Sequence, residues 1–299
     1  MKSDIPTDVG RHGFLTKALF KLPRSVRGHV VATLGEFFGT MSFIFFAFAG
    51  TQTANIASNT NTGTTVITTV VSATPQQLLY ISLSFGFSLA VNAWVFFRIS
   101  GGLFNPAVTL GMVLIGAISW LRGIFLFIAQ MVGAIVGAAL VDALFTGGLN
   151  VSTTPSATTS DAQAVIIEML LTTLLCFTIF MLAAEKHTGN FIAPVGIGLA
   201  LFVAELVGVF WTGGSLNPAR SFAPPVIVGF KRTQWIYWVG PLAGSCLAVI
   251  IYKIIKALEY ETANDDPEAL PPTGQAVALV NTSQPSTNGH ADTRAKEEV

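Results

Sequence analysis

Between residues 37 and 97 the chain carries not one Asp, Glu, Lys or Arg. A soluble domain needs charge on its exposed faces, so a run of this length without any belongs in a bilayer. Composition agrees: 52% of the 299 residues are apolar and 11% charged, against about 25% charged in an ordinary soluble domain. Only 12 of the 32 charged residues fall between positions 30 and 252. A net charge of zero offers nothing to nucleic acid or to any strongly charged partner.

Six apolar stretches reach the roughly 20 residues that a spanning helix needs. They cover residues 30–49, 78–97, 121–145, 165–184, 191–211 and 235–255. Two shorter apolar pieces, 105–118 and 217–228, cannot span. Each opens on Asn-Pro, and Pro is pre-set for the first turn of a helix. They read as half-helices, because non-helical backbone at membrane depth survives only when buried in protein or lining a water-filled cavity. The fold class is therefore all-α membrane protein, with six transmembrane helices and two re-entrant half-helices.

Basic residues give an orientation. Lys17, Lys21, Arg24 and Arg27 precede the first stretch and Lys253 and Lys256 follow the last; Arg98, Arg122 and Lys186 fall on the same side. The opposite loops, 50–77 and 146–164, hold no Lys or Arg, and only Lys231 and Arg232 break the pattern. The positive-inside rule then puts both termini in the cytoplasm. Residues 1–29 are expected to be a cytoplasmic segment without a cleaved leader, 30–258 the membrane domain, and 259–299 a disordered tail rich in Pro, Ser and Thr. Asn150 opens a glycosylation sequon on the outer side, close to the membrane, and a second at Asn281 falls in the tail.

An internal repeat narrows the class further. Residues 100–107 read Ser-Gly-Gly-Leu-Phe-Asn-Pro-Ala and 212–219 read Thr-Gly-Gly-Ser-Leu-Asn-Pro-Ala. Each copy follows the second stretch of its half, and each half has one lone acid in its first stretch, Glu36 and Glu168. Three spans per half is an odd number, so the halves (about 30–146 and 163–258) must be inverted. Inverted repeats with broken helices are a transport architecture. No nucleophile, phosphate loop or metal spacing accompanies the acids, so no catalytic residue, metal or cofactor is expected. Cys176 and Cys246 sit in apolar stretches as small hydrophobes, and nothing pairs them.

Over residues 30–252 the sequence resembles the aquaporin (major intrinsic protein) family. The motifs that carry the resemblance are Gly-Glu-Phe-Phe-Gly-Thr at 35–40, the run from Ser100 to Thr109, and Asn217-Pro218-Ala219-Arg220-Ser221. It looks most similar to fungal members of the water-selective branch. The resemblance implies that two half-helices meet N-terminus to N-terminus at the midplane, with Asn105, Pro106, Ala107 and Asn217, Pro218, Ala219 at the junction. It makes Glu36 and Glu168 anchors for the loops before the half-helices, and Phe85, Glu205, Gly214 and Arg220 the selectivity filter. It also implies a homotetramer with one pore per subunit; the plasma membrane is the expected location.

The physics of these residues stands beside the resemblance. Two facing helix N-termini place about +0.5 charge each beside a pore, a field that opposes protons and cations while neutral water passes. Each Asn caps its half-helix through its carbonyl oxygen and keeps NH₂ donors for a passing oxygen. Arg220 is always charged, and a lone Arg in an apolar setting is costly enough to mark function. Glu205 departs from the family pattern, which has His in water channels and Gly in glycerol channels. It is expected either to pair with Arg220, since an unpaired buried carboxylate is expensive, or to face a loop backbone or the outer vestibule. Ser221, where glycerol channels carry Asp, and Tyr237-Trp238 resemble the water branch. The implied permeant is water, with glycerol, hydrogen peroxide or ammonia as the broader alternative. Mercurials block many water channels through a Cys at the position of Gly214. Weak inhibition is therefore expected here, with sensitivity created by Gly214→Cys.

Overall fold

A computed structural model describes residues 23–61, 73–185 and 188–263. Most of the expected N-terminal segment and tail, together with Lys186 and the Asn281 sequon, lies outside the described residues. The chain divides after Lys256 into two units; the second contributes only a short 3₁₀ turn, Tyr260–Thr262, to the described part.

Among the described residues, the first unit holds eight α-helices: α1 (Arg24–Asn61), α2 (Pro75–Phe96), α3 (Pro106–Leu114), α4 (Trp120–Leu144), α5 (Asp161–Ile179), α6 (Ala193–Trp211), α7 (Pro218–Val228) and α8 (Ile236–Ala257). Six are long and apolar enough to cross a membrane. The half-helices α3 and α7 start at Pro106 and Pro218, and Asn105 and Asn217 are their caps. Large apolar side chains such as Phe46, Phe87, Trp94 and Leu144 point outward, as a lipid-facing surface requires and a soluble one avoids. The architecture is the expected inverted three-plus-three repeat.

Helix α1 runs well past the apolar run 30–49 at both ends. Beyond the run, the Thr51 and Thr53 hydroxyls donate back to the carbonyls of Ala47 (2.9 Å) and Ala49 (2.8 Å). These bonds to the preceding turn keep polar side chains inside a helix without an outside partner. Helix α5 ends in a single π-helical turn, Phe180–Ala184.

Without water to drive association, membrane helices pack through small residues that let backbones approach. A Cβ on Gly133 would stand 2.5 Å from the Phe37 carbonyl and one on Gly137 2.8 Å from that of Met41, at the α1–α4 crossing. The second half repeats the device at α5–α8, with Gly240 against Glu168 Cβ (2.6 Å) and Gly244 against the Met169 carbonyl (2.3 Å). Gly86 and Gly198 form the seam between the halves, where α2 meets α6.

Gly244→Ala should therefore force α5 and α8 apart and cost about 1–3 kcal/mol, a typical overpacking penalty. Gly28→Ala, whose Cβ would make only an ordinary 3.5 Å contact, should be neutral. Thermal unfolding in detergent checks the pair: equal midpoints would rule out the close-packed crossing.

Candidate functional site

The two loops before the half-helices are built alike. In the first, Glu36 accepts hydrogen bonds from the N–H groups of Leu103 (3.0 Å) and Phe104 (2.8 Å) and from the Ser100 hydroxyl (2.7 Å). In the second, Glu168 accepts from the N–H groups of Ser215 (2.9 Å) and Leu216 (2.8 Å) and from the Thr212 hydroxyl (2.6 Å). Both acids are fully buried. Gln130 adds a 2.8 Å amide donor to Glu36; three residues before the matching glycine of the other half, the Tyr237 hydroxyl donates to the Thr212 carbonyl (2.6 Å). Sequence patterning singled out the two acids and put Ser100 and Thr212 at the heads of the repeat without giving them a role; Gln130 and Tyr237 were not connected to the loops. Their equal spacing from Gly133, Gly240 and the Asn-Pro-Ala runs is the signal that was there to find.

Phe104 and Leu216, the residues immediately before the two asparagines, both adopt left-handed backbone, φ 50° and 51°. For a bulky residue this conformation is strained, and it turns each carbonyl across the midline. Asn105 Nδ2 donates to the Leu216 carbonyl and Asn217 Nδ2 to that of Phe104, each at 2.8 Å. Each Asn Oδ1 accepts from its own half-helix, at Ala107 N and Ala219 N (2.9 Å), and Asn217 also accepts from Arg220 N at 3.3 Å. The caps are as expected. The reciprocal bonds between halves are new: one hydrogen of each NH₂ is committed there, and the second is left over.

A cavity runs past this junction. Asn105, Asn217, Ser215 and Arg220 contribute polar lining, while Phe85, Leu89, Val108, Ile197 and Leu201 supply an apolar wall. Ser245, behind α3, donates to the Ala107 carbonyl (2.6 Å) and holds the half-helix to α8.

Phe85 and Arg220 come together. The Arg220 guanidinium carbon lies 4.9 Å from the Phe85 ring centroid and 5.1 Å from that of Phe48, within cation–π range of both. Its Nη1 donates to the Val151 carbonyl (2.7 Å) and Nη2 to the Gly213 carbonyl (3.4 Å). Phe48 and Val151 were not anticipated; contacts between distant loops and helices leave no local trace.

Glu205 and Arg220 do not form the expected pair. No hydrogen bond or ion pair joins them among the described residues. Both Glu205 carboxyl oxygens are buried without a hydrogen-bond partner, and the carboxyl lies against Gly214 in the loop. A Cβ on Gly214 would stand 1.8 Å from Glu205 Oε2, and its φ is +60°. The glycine leaves the room that the carboxyl fills, which is why Glu205 turns to the loop backbone, one of the two arrangements anticipated. Gly214→Cys is thus no simple substitution: the thiol and the carboxyl claim one space. Cys176 is buried and Cys246 exposed, and both are free.

Two inverted halves, each with a capped half-helix that starts at a shared polar lane, meet at the centre of the bundle. The major intrinsic protein profile matches residues 25–252. Aquaporin-7 of Botryotinia fuckeliana is 59% identical over 249 residues, covering 83% of this chain and 54% of that one. An Aquaporin-5 of the same fungus is 61% identical over 239 residues, 80% of this chain and 44% of the relative. The chain thus spans about half the length of these two. It covers 83% of Aquaporin-1 of Gibberella zeae, at 44% identity over 270 residues. The aquaglyceroporin from Plasmodium falciparum shares the fold, with a TM-score of 0.64 at 23% identity, covering 77% of this chain and 98% of that one. The chain belongs to the major intrinsic protein family, whose members are channels and not enzymes.

Glu168→Ala should strand the Ser215 and Leu216 N–H groups in a dry interior, at about 1–3 kcal/mol for each unsatisfied group. Folded yield and thermal midpoint should both fall sharply, while Cys246→Ser should leave them unchanged. A normal midpoint for Glu168→Ala would show that the loop does not depend on the carboxylate.

Proposed function

We propose that this chain is a passive water channel, conducting along an osmotic gradient while excluding protons and ions. The observation that carries this reading is the junction of the half-helices. Two helix N-termini with their positive dipole ends face one lane, and each asparagine has one amide hydrogen beyond those already committed. A water oxygen accepting from both would be turned so that it cannot relay a proton to its neighbours, and the same field repels cations.

In this reading Phe85, Glu205, Gly214 and Arg220 form the selectivity filter, on the side away from the termini. Three features support a bore for water rather than for a polyol. Glu205 fills the space left open by Gly214; Phe85 is held against Arg220; and Tyr237, fully buried, occupies the region behind the second loop. The cation barrier rests mainly on the half-helices, whose positive N-terminal ends face the lane. We place both termini in the cytoplasm and the channel in the plasma membrane as a homotetramer with one pore per subunit, the outward apolar faces of the spans being available for that contact.

Stopped-flow shrinkage of proteoliposomes, with sorbitol and then glycerol as osmolyte, tests the reading. Water flow should be fast with a low activation energy, glycerol should be reflected nearly as well as sorbitol, and no ionic current should pass. Lipid-like water permeability from folded protein would remove the channel reading, and rapid glycerol entry would favour the broader solute facilitator.

The filter has its own tests. Glu205→Ala should keep water flow, admit more glycerol or urea and still exclude cations; Arg220→Val, which removes a fixed positive charge beside the lane, should leak cations. Mercurials should inhibit the unaltered protein weakly, and sensitivity should require Glu205→Ala together with Gly214→Cys. Strong inhibition of the unaltered protein, abolished by Cys176→Ser, would show that the pore lining is misassigned.

A further inference from the structure

We propose that Gln52, in the stretch of α1 beyond its apolar run, is a positioning residue for the Arg220 guanidinium, acting through the loop that precedes Val151. The proposal rests on reading Arg220 as a filter residue.

Gln52 is 1% exposed, and its amide is spent on one loop. Its Nε2 donates to the carbonyls of Gly148 (2.7 Å) and Thr146 (3.4 Å), and its Oε1 accepts from Asn150 N (2.9 Å). Both amide hydrogens and the carbonyl oxygen are thereby matched to backbone groups two residues apart. Three positions further along α1, Asn55 Nδ2 donates to the Asn150 carbonyl (2.7 Å), and Gln77 Nε2 of α2 donates in turn to Asn55 Oδ1 (2.7 Å).

The loop needs such a clamp. Gly147 and Gly148 both have positive φ, +97° and +72°, a pair of residues with little preference of their own. Straight after the clamped Asn150 comes Val151, whose carbonyl takes the shortest hydrogen bond that Arg220 makes, at 2.7 Å. The other guanidinium bond, to Gly213, is 3.4 Å, and Arg220 Nε has no partner. The direction of the guanidinium therefore depends on where Val151 stands, and Val151 on Gln52. Phe48, one turn before Gln52 on the same face of α1, supplies one of the two rings against Arg220. A single helix face thus holds the filter arginine directly through a ring and indirectly through an amide.

Gln52→Met keeps the length and removes every hydrogen bond. In proteoliposomes it should raise the ratio of glycerol to water permeability several-fold while the protein stays folded. In an Arg220→Val background it should add nothing, because the residue through which it acts is gone. Asn55→Ala, which frees the same loop from its second bond, should shift the ratio in the same direction by less, and serves where Gln52→Met fails to fold. An unchanged ratio in folded Gln52→Met or Asn55→Ala, or equal effects with and without Arg220, would overturn the proposal. The unaltered protein tests the water-channel reading separately: if it already passes glycerol, that reading fails. The Gln52 proposal is then judged by the same criteria on xylitol entry.

Discussion

Everything in the middle of this fold depends on two carboxylates that accept hydrogen bonds from non-helical backbone. A half-helix must be reached by a stretch of chain that is not helical, and at membrane depth there is no water to satisfy its N–H groups. Glu36 and Glu168 supply the missing acceptors, each taking two consecutive backbone donors and a hydroxyl from the preceding Gly-Gly loop. A neutral acceptor could take part of this load. A carboxylate has lone pairs for all of it, and hydrogen bonds to a charged acceptor are the stronger kind.

That anchoring makes the strain at Phe104 and Leu216 tolerable. With their N–H groups fixed, left-handed backbone at both positions turns their carbonyls toward the other half. The asparagine amides close the arrangement by donating across. The two halves are tied at their most polar point by hydrogen bonds and at their periphery by glycine seams such as Gly86 against Gly198. The junction is thereby held at its centre and at its edges.

Arg220 is held by a different logic. A guanidinium in an apolar region must be matched on its edge by acceptors and on its faces by polarisable groups. Here the edge meets the backbone carbonyls of Val151 and Gly213, and the rings of Phe48 and Phe85 supply the π-systems. Arg220 does not bond Glu205, whose carboxyl lies in the space that Gly214 leaves open.

Much of this was legible from sequence because the bilayer removes alternatives. Charge-free runs of spanning length, two shorter runs opening on Asn-Pro and one duplicated motif leave little choice of architecture. A lone acid in each half marks itself by its cost. The caps by Asn105 and Asn217 are local and followed from the same reading. The fate of Glu205, the length of α1 and the surroundings of Arg220 were decided only in three dimensions. A carboxyl turns to whichever neighbour leaves room, and only the packing of the loop against α6 brings the side of Gly214 that lacks a Cβ up to Glu205. Gln52 reads as an ordinary polar residue past the end of an apolar run, because its partners lie more than ninety positions away. Local pattern and solvent cost are written along the chain. Contacts between a helix end and a distant loop exist only once the halves have packed.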